Sequence, residues 1–322
     1  MSNINLDKKI LITGGAGFIG SNLVDYLVSN NYKQITVLDN LETGNINNIK
    51  IHIDSKKIHF IEGSICNYET CLVAALNQDI ILHQAALGSV PRSIENPLAT
   101  HQTNVTGFIN ILEAAKQNKV KRIVYASSSS VYGDDLNMPK QEDIVGNPLS
   151  PYAVSKKTNE LYAAVFASSY KMEIIGLRYF NVFGPKQNPA GPYAAVIPIF
   201  IDKLLKYQSP TIFGDGNNTR DFTYVENVIQ ANLLAAFTED KTAINQVYNI
   251  AYGATTSLNK LFELIAKELS SDVKVIYGDK RPGEIKDSFA SINKAKNLLS
   301  YKPSISLEEG IQKTISWYKV HG

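Results

Sequence analysis

A phenol, an ammonium and a row of hydroxyls lie close together in this sequence. Tyr152 and Lys156 stand in the run Tyr152-Ala153-Val154-Ser155-Lys156, with Ser127, Ser128, Ser129 and Ser130 upstream. These are the groups needed to move a proton on and off an alcohol. A tyrosine alone is a poor base, because its unperturbed pKa is about 10. The pattern over 151–170 is helical, and helix residues four apart share a face, so Lys156 falls beside Tyr152. A fixed positive charge there favours phenolate. Bringing the pKa to roughly 7 requires about 3 units, or on the order of 4 kcal/mol. Pairs of this spacing are also common on solvated helix faces, so the chemistry must be argued from what surrounds them.

The beginning of the chain supplies that context. Residues 9–13, Lys-Ile-Leu-Ile-Thr, read as a buried parallel strand, short, apolar and β-branched. It runs into Gly14-Gly15-Ala16-Gly17-Phe18-Ile19-Gly20 and then into a helical pattern over 21–30. Gly15, Gly17 and Gly20 fit GxGxxG, while Gly14, Gly17 and Gly20 fit the related GxxGxxG. Either set allows a tight turn in which backbone N–H groups approach a pyrophosphate at a helix N-terminus. A second strand over 34–38 ends in Asp39, nineteen residues after Gly20. An acid at that place meets a ribose 2′-hydroxyl, and its charge repels a 2′-phosphate. Strand, turn, helix, strand and acid together point to a dinucleotide, with NAD favoured over NADP. The positive nicotinamide ring then joins Lys156 in favouring the phenolate.

Composition sets limits. With 322 residues, 44% of them hydrophobic, the chain can bury a large core as one nucleotide domain and a smaller appended one. A net charge of +2, with basic residues scattered, gives no electrostatic case for nucleic acid. Cys66 and Cys71 form no CxxC and read as free thiols on a loop and a helix, which fits a reducing cytoplasm. No charged and apolar leader pattern precedes Lys8, and no apolar stretch reaches about 18 residues, so neither export nor a membrane span is expected. His83 and His101 have no partner at metal-ligand spacing, and no metal is expected.

Strand patterns over 58–61, 79–83, 122–126 and 173–178 alternate with helical patterns over 67–76, 97–118 and 152–170. This alternation predicts an α/β fold, a Rossmann-type doubly wound parallel sheet with function at the carboxyl ends of its strands. The segments 184–192 and 213–217 read as loops, rich in Gly, Pro and Asn. The expected division is a dinucleotide domain of residues 1–180 plus 224–250, and a smaller α/β substrate domain of 181–223 plus 251–322. Within 224–250, a helix over 225–237 and a strand over 246–250 return to the dinucleotide domain.

The segments GGAGFIGSNL, LDN, HQAA, SSSSVYG, SPYAVSK, LRYFNVFGP and TRDFTYVENV together resemble the extended short-chain dehydrogenase/reductase family, and within it the UDP-sugar 4-epimerases. HQAALGSVPRS, PYAAVIPIF and GDGNNTRDF are similar to the branch that acts on UDP-N-acetylhexosamines or their uronic acids. The likeness spans Lys9 to about Tyr318. It implies Tyr152 as base, Lys156 on the nicotinamide ribose, and Ser128 bonded to the sugar O4 and the phenol, with Ser129 and Ser130 able to support it. Implied NAD contacts are Gly14, Gly17, Phe18, Ile19, Gly20, Asp39, Asn40, Ser64, Ile65, Gln84, Ala85, Ala86, Asn104 and Tyr179, besides Tyr152 and Lys156. Gln84 and Asn104 equally suit buried amides that hold strand-end loops. Implied substrate contacts are Ser89, Ser128, Tyr152, Asn181, Ala195, Val196, Arg220, Arg281, Glu284 and Ser288.

The implied activity is interconversion of UDP-GlcNAc and UDP-GalNAc through a transient 4-keto sugar, in the supply of surface polysaccharide precursors. The corresponding uronic acids are the alternative substrates, and a non-catalytic NAD-binding protein is the reading from another class. Related 4,6-dehydratases carry Thr-Asp-Glu where this chain has Ser128, Ser129 and Ser130, so the carboxyls for water elimination are missing. Ser288 aligns with a tyrosine in epimerases restricted to UDP-glucose and UDP-galactose, and implies room for a 2-acetamido group. Relatives place Asp on the adenine where this chain has Ser64, which removes a charge-assisted bond. The resemblance further implies a homodimer paired through the helices over 97–118 and 152–170. Phe108 and Leu161 are apolar candidates for that interface, and they fit the core equally well.

Overall fold

The computed structural model describes residues 6–191, 193–280 and 287–321. Its first half runs β1 (Lys9–Thr13), α1 (Phe18–Ser29), β2 (Gln34–Asp39), α2 (Lys50–Asp54), β3 (His59–Glu62), α3 (Tyr68–Ala74) and β4 (Ile80–His83). Then come α4 (Val90–Glu95), α5 (Pro97–His101), α6 (Gly107–Gln117), β5 (Arg122–Ser128), α7 (Pro151–Tyr170) and β6 (Glu173–Tyr179). The second half has shorter strands: β7 (Val182–Phe183), α8 (Val196–Leu205), β8 (Thr211–Phe213), β9 (Thr219–Arg220) and β10 (Thr223–Tyr224). It continues with α9 (Val225–Phe237), β11 (Val247–Ile250), β12 (Thr256–Ser257) and α10 (Leu258–Glu268). It closes with β13 (Ile276–Gly278), α11 (Asn293–Leu299) and α12 (Leu307–His321).

Seven strands form one parallel sheet in the order β11-β6-β5-β4-β1-β2-β3. The order reverses between β1 and β4, and doubly wound sheets bind ligands in the crevice at such a switch point. Both faces are covered, which is why the strands read as unbroken apolar runs. Successive residues of a strand face opposite sides. Ile10 and Ile12 accordingly join the core shared with α1 and α9, while Leu11 joins the core shared with α3, α6 and α7. The returning strand β11 lies outermost, paired with β6.

One expectation is corrected. The single helix over 97–118 is instead α5, a π-helical turn at Gln102–Thr106, and α6. Such turns gather at functional sites, and Thr103 within this one reaches the cavity described below. Of the two places left open for Phe108, it takes the core, fully buried against Tyr125 and His83. Leu161 is 59% exposed. No helix among the described residues is long and apolar enough to cross a membrane.

Candidate active site

A cavity of about 430 Å³ opens at the switch point, walled by the turns that follow β1 to β6. Gly14, Gly17, Phe18, Ile19 and Gly20 form one end of its wall, and Gly15 does not. Of the two glycine spacings, GxxGxxG is the one that faces the cavity. Gly14 has φ +69, and a Cβ there would stand 2.6 Å from Ala85 N; one on Gly20 would stand 2.1 Å from Gly14 O. Gly15 abuts Val37, where a Cβ would meet Cγ1 at 2.5 Å. The turn is therefore closed down to backbone, which leaves the start of α1 bare for a phosphate.

Asp39 ends β2 at the cavity wall, with Oδ2 accepting from Ala16 N at 2.9 Å and Oδ1 from Leu41 N at 2.8 Å. A carboxylate has about four acceptor sites, so capacity remains for ribose hydroxyls. Asn40, Ser64, Ile65, Gln84, Ala85 and Ala86 also line the cavity, as expected, together with Glu42 and Thr43, which the sequence reading missed. Ser64 Oγ accepts from Cys66 N at 3.1 Å, an internal bond that holds its own turn.

The far wall carries the proton chemistry. Ser128, Tyr152, Lys156, Tyr179 and Asn181 line it. Ser150 caps α7, accepting from Ala153 N, with Pro151 at the first helical position. This places Tyr152 and Lys156 in the first two turns, on the side of the helix that meets β5. Lys156 Nζ donates to Ala126 O at 2.8 Å and stands 5.9 Å from the centre of the Tyr152 ring. Burial pushes its pKa down to about 8, against the opposing pull of Glu160. Burial also pushes the Tyr152 phenol above its ordinary value, with a hydrogen bond to Ser128 acting the other way. The sequence reading gave Lys156 the leading part in lowering that phenol. Among the protein's own groups the lowering comes from Ser128 instead, and desolvation outweighs it.

Other expected residues fall behind or beside the wall. Ser129 and Ser130 begin a 3-10 turn off the cavity, where Ser130 N donates to Ser128 Oγ at 3.1 Å. Asn104 is buried: Oδ1 accepts from Leu87 N at 2.7 Å, and Nδ2 donates to Leu87 O and to Ser155 Oγ, both at 3.1 Å. It thus ties the loop after β4 to α7. Gln84 does both jobs, lining the cavity while it closes a triangle with Tyr179 and Asn232. Asn232 was missed; a lone amide on an apolar helix gives no sequence signal.

The substrate-side residues are less converged. Asn181 has φ +35, and its Nδ2 donates to Asp221 O at 3.1 Å. Ser89, at φ +96, caps α4 by accepting from Arg92 N. Ala195 and Val196 start α8 without lining the cavity. Arg220 lies on β9, and Ser288 N donates to the adjacent Thr219 O at 3.1 Å, so these two expected contacts are neighbours. Buried Asp221 secures the same region by accepting from Tyr252 N and Gly253 N. Arg281 and Glu284 lie outside the described residues. The loop after β7 is strapped to α1 by Asn22 Nδ2 on Pro185 O at 3.0 Å and Lys186 Nζ on Asp25 Oδ2 at 2.5 Å.

A dinucleotide cradle at the switch point of a parallel sheet, faced by a tyrosine and a lysine on one helix, defines a Rossmann-type short-chain dehydrogenase/reductase architecture. The comparisons agree and narrow it: the chain belongs to the NAD dependent epimerase/dehydratase family, whose pattern matches residues 10–251. NAD is its cofactor, and the cradle fits it, with bare backbone at Gly14 and Gly20 for the pyrophosphate and acceptor capacity at Asp39 for a ribose. The chain is similar to the UDP-N-acetylglucosamine 4-epimerase from Methanobrevibacter ruminantium M1, solved with UDP-N-acetylmuramic acid. Identity is 40%, with 98% of this chain and 99% of that one covered and a TM-score of 0.93. It is similar also to the UDP-glucose 4-epimerase of Thermotoga maritima solved with UDP-glucose, at 36% identity, covering 97% and 98%, with a TM-score of 0.90. A third likeness is to the UDP-glucuronic acid 4-epimerase of Bacillus cereus in complex with UDP-glucuronic acid and NAD. That one is 31% identical, covers 98% and 100%, and has a TM-score of 0.90.

Proposed function

We propose that this chain is a 4-epimerase that interconverts UDP-GlcNAc and UDP-GalNAc through a transient 4-keto sugar. The reading is carried by Ser128, Tyr152 and Lys156 meeting on one wall of the dinucleotide cavity, with no carboxylate among Ser128, Ser129 and Ser130. Elimination of water needs an acid and a base beside the ring. Glu160, on the helix of Tyr152, does not line the cavity and is bound to Ser127 and Arg178. Further support comes from the likeness to a UDP-N-acetylglucosamine 4-epimerase over almost the whole chain.

Tyr152 takes the proton of the sugar 4-hydroxyl and later returns it, with Ser128 hydrogen-bonded to both. Lys156 holds ribose hydroxyls and keeps a positive charge near the phenol. NAD, when bound, supplies hydride removal and return at C4, so the net redox change is zero. Both faces of the sugar must meet one Tyr152, so the protein grips the diphosphate and leaves the ring free to turn. Asn181, Ala195, Val196, Arg220 and Arg281 are assigned to UDP, the guanidiniums suiting the diphosphate by charge and geometry. Ser89 and Glu284 complete the substrate set. Ser288, next to the strand of Arg220, leaves room for the 2-acetamido group.

The assembly in this reading is a homodimer. Val154, Leu161 and Val165 are exposed on α7, with Leu98 exposed on α5, which packs against it. Residues at this spacing share a helix face, and such a patch suits a second copy of the chain.

Proton NMR of UDP-GlcNAc incubated with the purified protein, without added NAD, tests the reading. UDP-GalNAc should appear. Turnover of the N-acetylhexosaminuronic acid alone would move the substrate assignment, and turnover of no UDP-sugar even with added NAD would refute the epimerase reading. Full activity in Tyr152→Phe would refute the assignment of the base.

A further inference from the structure

We propose that Glu160 is a positioning residue for this site: through Ser127 it holds the carboxyl end of β5 against α7 and so fixes where Ser128 and the Ala126 carbonyl stand. The proposal rests on the reading of Tyr152 as the proton carrier. Glu160 lies one turn beyond Lys156 and two beyond Tyr152 on α7, and its side chain is only 6% exposed. A carboxylate so deep is costly unless it is paired and hydrogen-bonded. Oε1 accepts from Ser127 Oγ at 2.7 Å and from Arg178 Nε at 2.8 Å, and Oε2 accepts from the same guanidinium at 2.9 Å. Arg178 is fixed in turn by donating to the Tyr132 hydroxyl at 3.0 Å and to Glu142 O at 2.9 Å.

This network lies directly behind the proton chemistry. Ser127 stands between Ala126, whose carbonyl receives Lys156, and Ser128, which meets Tyr152. Anchoring Ser127 by its side chain fixes where its two neighbours stand relative to α7. The Glu160 charge is itself balanced, by Arg178 and by Lys157 at 3.8 Å from the same carboxylate, so its part here is that of an anchor.

The test is Ser127→Ala in the NAD-loaded protein with two readouts. The first is ultraviolet difference titration of the phenolate, each protein being measured against its own Tyr152→Phe partner. The second is kcat and KM against pH. With the tether removed and the Glu160–Arg178 pair left in place, the Ser128 hydrogen bond that lowers the phenol is loosened. The phenolate midpoint should therefore rise by about one unit, and kcat at neutral pH should fall roughly tenfold with it. KM for the UDP-sugar should stay within about twofold, because neither Ser127 Oγ nor the Glu160 carboxylate is assigned to substrate. Glu160→Gln alone leaves the buried Arg178 without its charge partner. The second protein is therefore the charge-neutral double variant Glu160→Leu with Arg178→Leu, which should show the same rise. An unmoved midpoint in whichever of these proteins folds overturns the proposal. If the parent protein turns over no UDP-sugar, the epimerase reading fails, while the titration still decides the role of Glu160.

Discussion

Replacing Lys156 with methionine should abolish turnover and, near neutral pH, leave the fold no less stable. Lys156 is 3% exposed, and burial pushes its pKa from 10.5 down to about 8. In the unfolded chain a lysine titrates near its ordinary value of about 10.4. The gap of about 2.5 units, at ~1.4 kcal/mol each, means that below pH 8 the folded protein bears roughly 3 kcal/mol to keep this charge inside. Between about pH 8 and 10.5 the unfolded chain still holds a proton that the folded protein has released. The contribution of this site to stability therefore rises with pH across that window. Methionine has similar volume and no charge, but it forfeits the bond to Ala126 O, worth ~1.5–3 kcal/mol for a charged donor. The variant should thus match or exceed its parent by up to about 2 kcal/mol at pH 7, and the difference should swing against it by roughly 3 kcal/mol by pH 10.5. Urea denaturation of both proteins, with matched NAD content, measures this directly. A difference independent of pH, or one that moves in favour of methionine as pH rises, would refute the reasoning.

Three further outcomes are expected. Gly20→Ala puts a Cβ 2.1 Å from Gly14 O; the turn must open, and NAD retained through gel filtration should fall at least tenfold, a loss of about 1.4 kcal/mol. Ser288→Tyr should remove UDP-GlcNAc turnover while sparing part of UDP-glucose turnover, and equal loss of both would dismiss a size gate at C2. Ser64→Asp restores a charged acceptor where relatives keep one, and should strengthen NAD binding by about 1 kcal/mol in a calorimetric titration; unchanged binding would show that this position does not matter to adenine.

The dinucleotide half was legible because its signals are local. A strand, a glycine turn and an acid at fixed spacing describe one supersecondary unit, and β1, β2 and α9 fall within a residue of their expected ends. The choice between Gly14 and Gly15 was not local. It is decided by what each would strike, Ala85 in one case and Val37 in the other. The π turn at Gln102–Thr106 was equally hidden, since the bonds of Asn104 go to Leu87 and Ser155, distant in sequence. Phe108 was left open between an interface and the core because periodicity does not say which side of a helix meets the sheet. Glu160 had a usable signal, eight residues past Tyr152 on a helical pattern. Its partner Arg178 emerges only through the register of β5 with β6, where Ser127 stands opposite it. The segments around Arg220, Asp221 and Ser288 meet through long-range backbone bonds that no pattern in the chain announces.

The alternation at the end of β5 also limits how this protein can change. Ser127 and Ser128 are chemically identical neighbours, yet one side chain is spoken for by Glu160 and the other belongs to Tyr152. Parity along the strand is what sends them to different partners. A single residue deleted between Arg122 and Ser127 would bring Ser128 to the anchor's place and Ser129 to the place beside Tyr152, so the run of serines refills both addresses. An insertion is not absorbed in the same way: Ser127 moves to the place beside Tyr152, and Ala126 or the inserted residue falls where the anchor stood, leaving Glu160 without that hydroxyl. The row of serines therefore absorbs a slip in one direction and loses the tether in the other.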